Sequence, residues 1–226
     1  MSRQAPADAE VTALVHAAAA TPSMHNAQPW LFRYFRHSRT FDLHADFERR
    51  MPHSDPGARA LHLGCGAAPL NLRVAAAHDG WSPETQLVPD PTDRTLLARV
   101  RLTGAAGDES GLGALYPAIR RRHSSRFPFE ESEIPQRVRE ALSAAARVEG
   151  AVLSFPASWH LREVLELVQE AEARNITAPG SDQDLARWTR TDAPSANTAD
   201  DGVPLYAFGP RKPSARRRRV RAPARS

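Results

Sequence analysis

Residues 118–129, A-I-R-R-R-H-S-S-R-F-P-F, place arginine and serine side chains at a spacing suited to holding an anion. Arg122, Ser124 and Arg126 stand at every second position, so an extended turn would project all three to the same side. Two guanidinium groups and a hydroxyl match the oxygen atoms of a phosphate dianion, because charge-assisted bidentate hydrogen bonds are stronger than neutral ones. Spacing alone leaves a solvated basic run as an equally open interpretation.

A second polar segment, T-P-S-M-H-N-A-Q-P-W at residues 21–30, joins a predicted helix to a predicted strand. Pro22 fixes the backbone of the turn, while Ser23 and Asn26 offer short hydrogen-bond donors and acceptors. Gln28 could bond edge-on to a planar partner. The spacing by itself favours a structural turn whose serine and asparagine satisfy the backbone, and a binding role needs further support.

Three weaker patterns do not predict sites. Gly64-Cys65-Gly66 could suggest a glycine-rich dinucleotide-binding loop. Pro69 stands in place of the third glycine of such a loop, and the segment lies within a helical pattern rather than after a strand. His62 and Cys65 form an isolated pair of possible ligands, whereas a structural zinc ion needs four, so we expect no metal. Cys65 itself is expected to be a buried core residue rather than a nucleophile.

The charge is divided unevenly along the chain. Residues 213–226 contain six arginines and no acidic residue, whereas the rest of the chain carries 24 basic and 26 acidic side chains. An acidic body does not predict a nucleic-acid-binding domain, since such binding depends on neutralising phosphates. We expect the tail to be disordered, and contact with nucleic acid through this tail alone stays open.

Composition narrows the class of protein further. The 226 residues, 41% of them hydrophobic, are enough to bury a core. No apolar run approaches the roughly 18 residues of a membrane helix, and residues 1–10 do not resemble a signal peptide. The single cysteine is typical of a reducing compartment. These features predict a cytoplasmic protein without a membrane partner.

Elements that would position the two polar segments can be read from hydrophobic periodicity and turn residues. In the first part of the chain we predict a helix at 7–20, followed by strands at 30–34 and 40–44. A buried central helix comes next; it is capped by Ser54 or Asp55, begins at Pro56 and ends at Gly80. Two further strands are predicted at 86–88 and 96–102. In the second part we predict a glycine-rich linker at 104–113, helices near 114–122, 135–148 and 159–174, a strand at 151–155, a short helix around Trp188, and loop after about 191. This order of elements indicates an α+β fold.

The two polar segments resemble motifs of one known family. Residues 21–30 resemble the P-S-x-x-N-x-Q-P-W signature of the nitroreductase family of flavoproteins, and residues 122–126 resemble its R-R/H-S-x-R/K phosphate motif. The resemblance implies an α+β sandwich that dimerises, with FMN bound at the interface. It assigns Pro22, Ser23 and Asn26 to the isoalloxazine ring and Arg122, Ser124 and Arg126 to the phosphate.

Each motif occurs once, in a different half and in reverse order, as in a fused pseudo-dimer that keeps one flavin site. This arrangement resembles the Acg-type branch of the family, as do residues 55–59, 64–72 and 185–190. We accordingly expect a first half at 1–103, the linker at 104–113, a partial second half at 114–212 and the disordered tail at 213–226.

The second half looks shorter than a full nitroreductase half, so we expect a truncated or frameshifted member. The apolar faces at 135–148 and 159–174 would then lack a packing partner and could support an oligomer. Residues beyond about 175 are expected to be mobile.

The resemblance implies an oxidoreductase in which hydride moves from NAD(P)H through flavin N5 to a nitroaromatic or quinone acceptor. Such chemistry needs no general acid or base, and none is assigned; His25 or His123 could influence the ring. Two alternatives remain, namely a protein that binds or sequesters flavin without turnover and a nucleic-acid binder that uses its basic tail.

Overall fold

The mixture of helices and strands predicted from the sequence is present in the computed structural model, which describes residues 4–104, 111–125, 127, 129–130, 132–191 and 201–208. The first part of the chain contains α1 Asp8–Ala19, β1 Trp30–Phe35, β2 Thr40–Ala45, α2 Arg59–His78, β3 Ser82–Leu87 and β4 Leu96–Thr103. The second part contains α3 Tyr116–Arg121, α4 Gln136–Val148, α5 Ser158–Thr177, α6 Ser181–Trp188, β5 Thr189–Arg190 and β6 Val203–Pro204. The α+β class is confirmed.

The first four strands form one antiparallel sheet in the order β1-β2-β4-β3. Alternate residues of β2 and β4, such as the paired Phe41 and Val100, face α2 and are buried. The residues between them face the other way, and there Asp42 accepts two hydrogen bonds from the guanidinium of Arg99, both at 2.7 Å. The period of two therefore separates an apolar core face from a face that carries an ion pair.

Helix α2 is the buried central helix that the sequence predicts, with Leu72 in contact with α1 and the sheet. Its start differs from the prediction, because it begins at Arg59 rather than at Pro56. The chain first makes a turn in which Ala58 adopts left-handed φ and donates its N–H to the carbonyl of Asp55 at 2.9 Å. Asp55 nevertheless accepts from the N–H of Leu61 at 3.1 Å, so it still satisfies a donor of the first turn.

The predicted strand at 151–155 does not form, and its residues lie exposed in irregular backbone. Among the residues that the structure describes, no strand runs beside this segment, so a β conformation would find no ladder partner there. The neighbouring helices α4 and α5 expose apolar side chains, including Leu142 and Leu165, as expected for faces that lack a packing partner.

Described residues after 175 make packing contacts that the sequence did not predict. Trp188, at the end of α6, is only 3% exposed, and the predicted loop after 191 contains β6, which pairs in parallel with β5. These residues pack through contacts with the first part of the chain. Contacts between distant residues of this kind are not predicted by any local sequence pattern. Linker residues 105–110 and the tail at 213–226 lie outside the described residues.

Truncating Leu72, a core leucine of α2, should test this packing. Leu72 is 1% exposed and Leu63, on the same helix, is 68% exposed. We expect Leu72→Ala to lower the free energy of unfolding by about 2–5 kcal/mol, because it removes buried surface and leaves a cavity. The matched change Leu63→Ala should stay within about 0.5 kcal/mol of the parent protein in urea denaturation. Equal losses would contradict the assigned orientation of α2.

Candidate functional site

A cavity of about 600 Å³ lies between the end of α1, the turn that precedes β1, and α3. Its volume is within the range of pockets that bind small molecules and cofactors. Seven of the residues that line it carry polar or aromatic side chains: His16, Thr21, Asn26, Gln28, Tyr116, Arg120 and Arg122. The fold thus brings members of both sequence motifs to the same cavity, with Asn26 and Gln28 from the first and Arg122 from the second.

The turn at residues 22–28 has an unusual backbone. His25, Asn26 and Gln28 have φ values of 49°, 54° and 50°, in the left-handed region that residues other than glycine rarely adopt. Ser23 supports this conformation, since its Oγ accepts from the N–H of Gln28 at 3.0 Å. The surrounding contacts therefore hold a backbone that is unfavourable on its own.

Helix α2 packs tightly behind this turn. A Cβ atom placed on Gly64 would lie 3.2 Å from the Cβ of Ser23 and 3.7 Å from the carbonyl oxygen of Pro22. Pro22 and Ser23 thus face α2 and are not among the residues that line the cavity. The structure shows the backbone-satisfying role that spacing favoured both for Ser23 and for Asn26, whose Nδ2 donates to the carbonyl of Gly202 at 3.2 Å. Asn26 and Gln28 also line the cavity.

On the opposite side, Arg122 leaves the end of α3 in extended backbone. Its guanidinium donates to the carbonyl of Ala20 at 3.3 Å and to the Oγ of Ser124 at 3.4 Å. A cation beside the last carbonyls of α1 is favourable, because the helix dipole is negative there. Ser124 is exposed and is connected to the cavity by its hydrogen bond with Arg122. Arg126 lies outside the described residues.

Three residues of the cavity that could contact a ligand, His16, Tyr116 and Arg120, were missed by the sequence analysis. Tyr116 and Arg120 lie on the same face of α3 as the buried Ile119, because residues three and four apart are neighbours on a helix. This helical spacing could have placed both residues on one face, but the sequence analysis considered the arginines only as part of an extended turn. Tyr116 also stacks on His78 of α2, with ring centroids 4.2 Å apart.

The histidines that could have influenced a bound ring do not line the cavity. The ring of His25 lies 6.2 Å from that of Phe208, and Nδ1 of His123 lies 3.2 Å from the carbonyl oxygen of Arg121. Neither is among the residues that surround the cavity.

Cys65 is a core residue, as predicted. Its Sγ donates to the carbonyl of Pro29 at 3.0 Å, and burial raises the pKa of the thiol to about 12. A thiol with this pKa is protonated at neutral pH and is a poor nucleophile. His62 turns to a different partner, the carbonyl oxygen of Ala58, 2.6 Å from its Nδ1. Within the described ranges, no group of three or more histidine, cysteine or acidic residues could hold a metal ion.

Several curated relatives of the chain carry the name of a nitroreductase. Over 209 residues the chain is 32% identical to "Putative NAD(P)H nitroreductase Rv3131" of Mycobacterium tuberculosis (strain ATCC 25618 / H37Rv), covering 92% of this chain and 58% of that protein. It is 33% identical over 121 residues to "Putative NAD(P)H nitroreductase acg" of the same strain, covering 54% of this chain and 36% of the relative. The resemblance to nitroreductase-like proteins, including the Acg type, is confirmed at the level of sequence.

The chain spans little more than half the length of the first of these relatives. No family model matches it. The crystal structure of a "Putative NADH dehydrogenase/NAD(P)H nitroreductase" from Parabacteroides distasonis ATCC 8503 overlaps 47% of this chain and 79% of that chain, at 18% identity and a TM-score of 0.39. This overlap is too weak to bear on the fold. Among the described helices, none has the length and apolar character needed to cross a membrane.

The contact between α2 and the turn can be tested with two glycines of the same helix. No atom would lie within 4 Å of a Cβ on Gly66, whereas a Cβ on Gly64 would press on Ser23. Gly66→Ala should stabilise the protein by up to about 1 kcal/mol through helix propensity. Gly64→Ala should unfold at a lower temperature than Gly66→Ala. It has the same gain in helix propensity, but its new methyl group would have to push the turn at Ser23 away from α2. Equal stabilisation of both variants would show that the contact is loose.

Proposed function

We propose that this chain binds FMN in the 600 Å³ cavity and acts as an NAD(P)H-dependent oxidoreductase of the nitroreductase type. One observation carries the proposal: two motifs far apart in sequence contribute Asn26 and Arg122 to the same cavity. Nitroreductase names among the relatives support the class of reaction. Nitroaromatic compounds or quinones are the proposed acceptors.

The chemistry of the cavity fits a flavin mononucleotide. Arg120 and Arg122 supply positive charge on the α3 side, and no acidic side chain lines the cavity among the described residues. Arginine pairs suit a phosphate dianion because each guanidinium can donate two parallel hydrogen bonds. The amide side chains of Asn26 and Gln28, on the other side, carry donors and acceptors of the kind that pair with the polar edge of a flavin ring. The Nδ2 of Asn26 also donates to the carbonyl of Gly202, so this contact would orient the amide beside the ring.

We assign binding and orientation to the residues of this chain. When bound, the flavin would supply the hydride-transfer chemistry. Arg122 would hold the phosphate, with Ser124 and Arg126 as further contacts of the same segment. Asn26 would orient the ring edge, while Pro22 and Ser23 act behind the turn that carries it. No general acid or base is assigned.

We further propose that residues 1–103 and 114–212 correspond to two nitroreductase-like halves that share one flavin site. The first half provides the turn with Asn26, and the second provides Arg122 at the end of α3. Their meeting at one cavity is what a fused pseudo-dimer with a single retained site would produce. The hydrogen bond from Arg122 to Ala20 joins residues 102 positions apart and supports this pairing.

Replacing Arg122 should separate phosphate binding from ring binding. Arg122→Ala should weaken FMN binding about ten- to hundredfold, since a charge-assisted hydrogen bond contributes about 1.5–3 kcal/mol. Riboflavin, which lacks the phosphate, should lose little affinity. Arg121→Ala is the matched control, because Arg121 does not line the cavity. Fluorescence titration measures both ligands, and equal losses for FMN and riboflavin would reject the phosphate role.

Turnover needs its own experiment, because flavin binding alone would not distinguish an enzyme from a flavin-sequestering protein. The purified protein, reconstituted with FMN, should oxidise NAD(P)H faster when a quinone is added. The flavin absorption band should bleach anaerobically with NAD(P)H and return with the quinone. A stable flavin complex that NAD(P)H does not reduce would favour the sequestering alternative.

A further inference from the structure

The anchor segment, defined here as residues 181–191 together with 201–204, docks beside the turn that carries Asn26. Its Trp188 is buried in a cluster with Met24, Ala27 and Met51. The indole also lies within cation–π distance of guanidinium groups, with Arg49 at 5.6 Å and Arg187 at 5.1 Å. A large aromatic side chain thus joins the second part of the chain to the back of the turn.

A buried carboxylate fixes the other end of α6. Asp184, 6% exposed, accepts hydrogen bonds from the backbone N–H groups of His53 and Ser54 at 2.9 and 2.8 Å. Hydrogen bonds to a charged acceptor are among the stronger ones in proteins, and they fix the register of the anchor segment against the loop before α2.

Asp201 connects this anchor segment to the turn. Its carboxylate accepts from Arg190 at 2.5 Å and from Arg49 at 2.8 Å. The same Nη1 atom of Arg49 also donates to the carbonyl of Ala27 at 2.9 Å. Asp201 therefore positions the guanidinium of Arg49, which donates a hydrogen bond to the backbone of the turn from outside the cavity.

The neighbouring Gly202 makes the second connection. Its N–H donates to the carbonyl of Asn26 at 3.1 Å, and its own carbonyl accepts from Nδ2 of Asn26 at 3.2 Å. Gly202 has φ +80°, and a Cβ there would lie 2.8 Å from the guanidinium carbon of Arg190 and 3.0 Å from the carbonyl oxygen of Trp188. A glycine is needed for both the conformation and the space.

We propose that Asp201 is a positioning residue for the cavity: through Arg49 and the adjoining Gly202 it holds the left-handed turn at 25–28, so that Asn26 and Gln28 face the ligand. The proposal rests on the proposed flavin site for its effect on binding. Asp201 itself is not among the residues that line the cavity, so it acts through the turn and not by contact.

The charge state of Asp201 suits this role. Partial burial raises the pKa of the carboxyl, but the hydrogen bonds from Arg190 and Arg49 outweigh burial and lower the pKa below its usual value. An unperturbed aspartic acid is already half ionised near pH 4, so a carboxyl with a lowered pKa is ionised throughout the neutral range. The ion pairs are accordingly present throughout the neutral range in which a flavin would be bound.

Asp201→Asn removes the charge with little change in shape. We expect it to weaken binding of FMN and riboflavin by the same factor, about tenfold, because the turn contacts the ring side and not the phosphate. Arg122→Ala, in contrast, should weaken the binding of FMN far more than that of riboflavin. Asp182→Asn is the matched control, since Asp182 is exposed on α6 and its described hydrogen bond goes only to the N–H of Gln183. Asp201→Glu should restore part of the affinity.

Amide hydrogen exchange gives a readout that does not depend on flavin. In Asp201→Asn, residues 24–30 should exchange at least tenfold faster, while α1 and β4 keep their protection. Should this variant fail to fold, as judged by circular dichroism, Arg190→Gln removes one arm of the same ion pair and should give a smaller change of the same kind. Unchanged exchange at 24–30, or faster exchange spread evenly over the chain, would overturn the proposal. Faster local exchange in a protein that binds no flavin would reject the proposed function and support Asp201 as the residue that holds the turn.

Discussion

The close packing of α2 against the turn at residues 22–28 is the contact on which the candidate site depends. Gly64 leaves room for Ser23 to approach the helix, and Ser23 in turn receives the N–H of Gln28. The left-handed backbone that follows would be costly in isolation, so it persists only while its neighbours fix it. These contacts fix the position of the turn that places Asn26 and Gln28 at the cavity.

The opposite wall is fixed by a different interaction. Helix α3 packs against the main core through the buried side chain of Ile119. Arg122, which follows α3, has its guanidinium at the carbonyl end of α1. The charge that complements the helix dipole is the same charge that would meet a phosphate. Because the arginine is already oriented by the fold, binding an anion would require less ordering of its long side chain.

The second part of the chain contributes unevenly to this arrangement. Helix α3 and the anchor segment are joined to the first part by buried side chains and charged hydrogen bonds. Helices α4 and α5 instead leave much of their apolar surface exposed, and α4 is tied to α2 by the ion pair between Arg73 and Glu149. The parts that pack well are those that surround the turn and the cavity.

The sequence by itself determined the elements with strong local patterns and the two polar motifs. The apolar periodicity of α1, α2, α4 and α5 and the β-branched and aromatic residues of β1 and β2 predicted those elements within a few residues, because neighbouring side chains alone decide which face is apolar. The strand predicted at 151–155 was wrong for the complementary reason, since a strand also needs a partner that the local sequence does not specify.

Only the tertiary structure decided which polar residues share a cavity. It placed Asn26 beside a wall that carries Arg122, added Arg120 from the helical face of α3, and turned Ser23 toward α2. It also showed that Asp201 and Gly202 reach back to Asn26, a contact between residues 176 positions apart in the case of Gly202. Such contacts arise from the way separate elements pack against one another, so they leave no periodic signal along the chain.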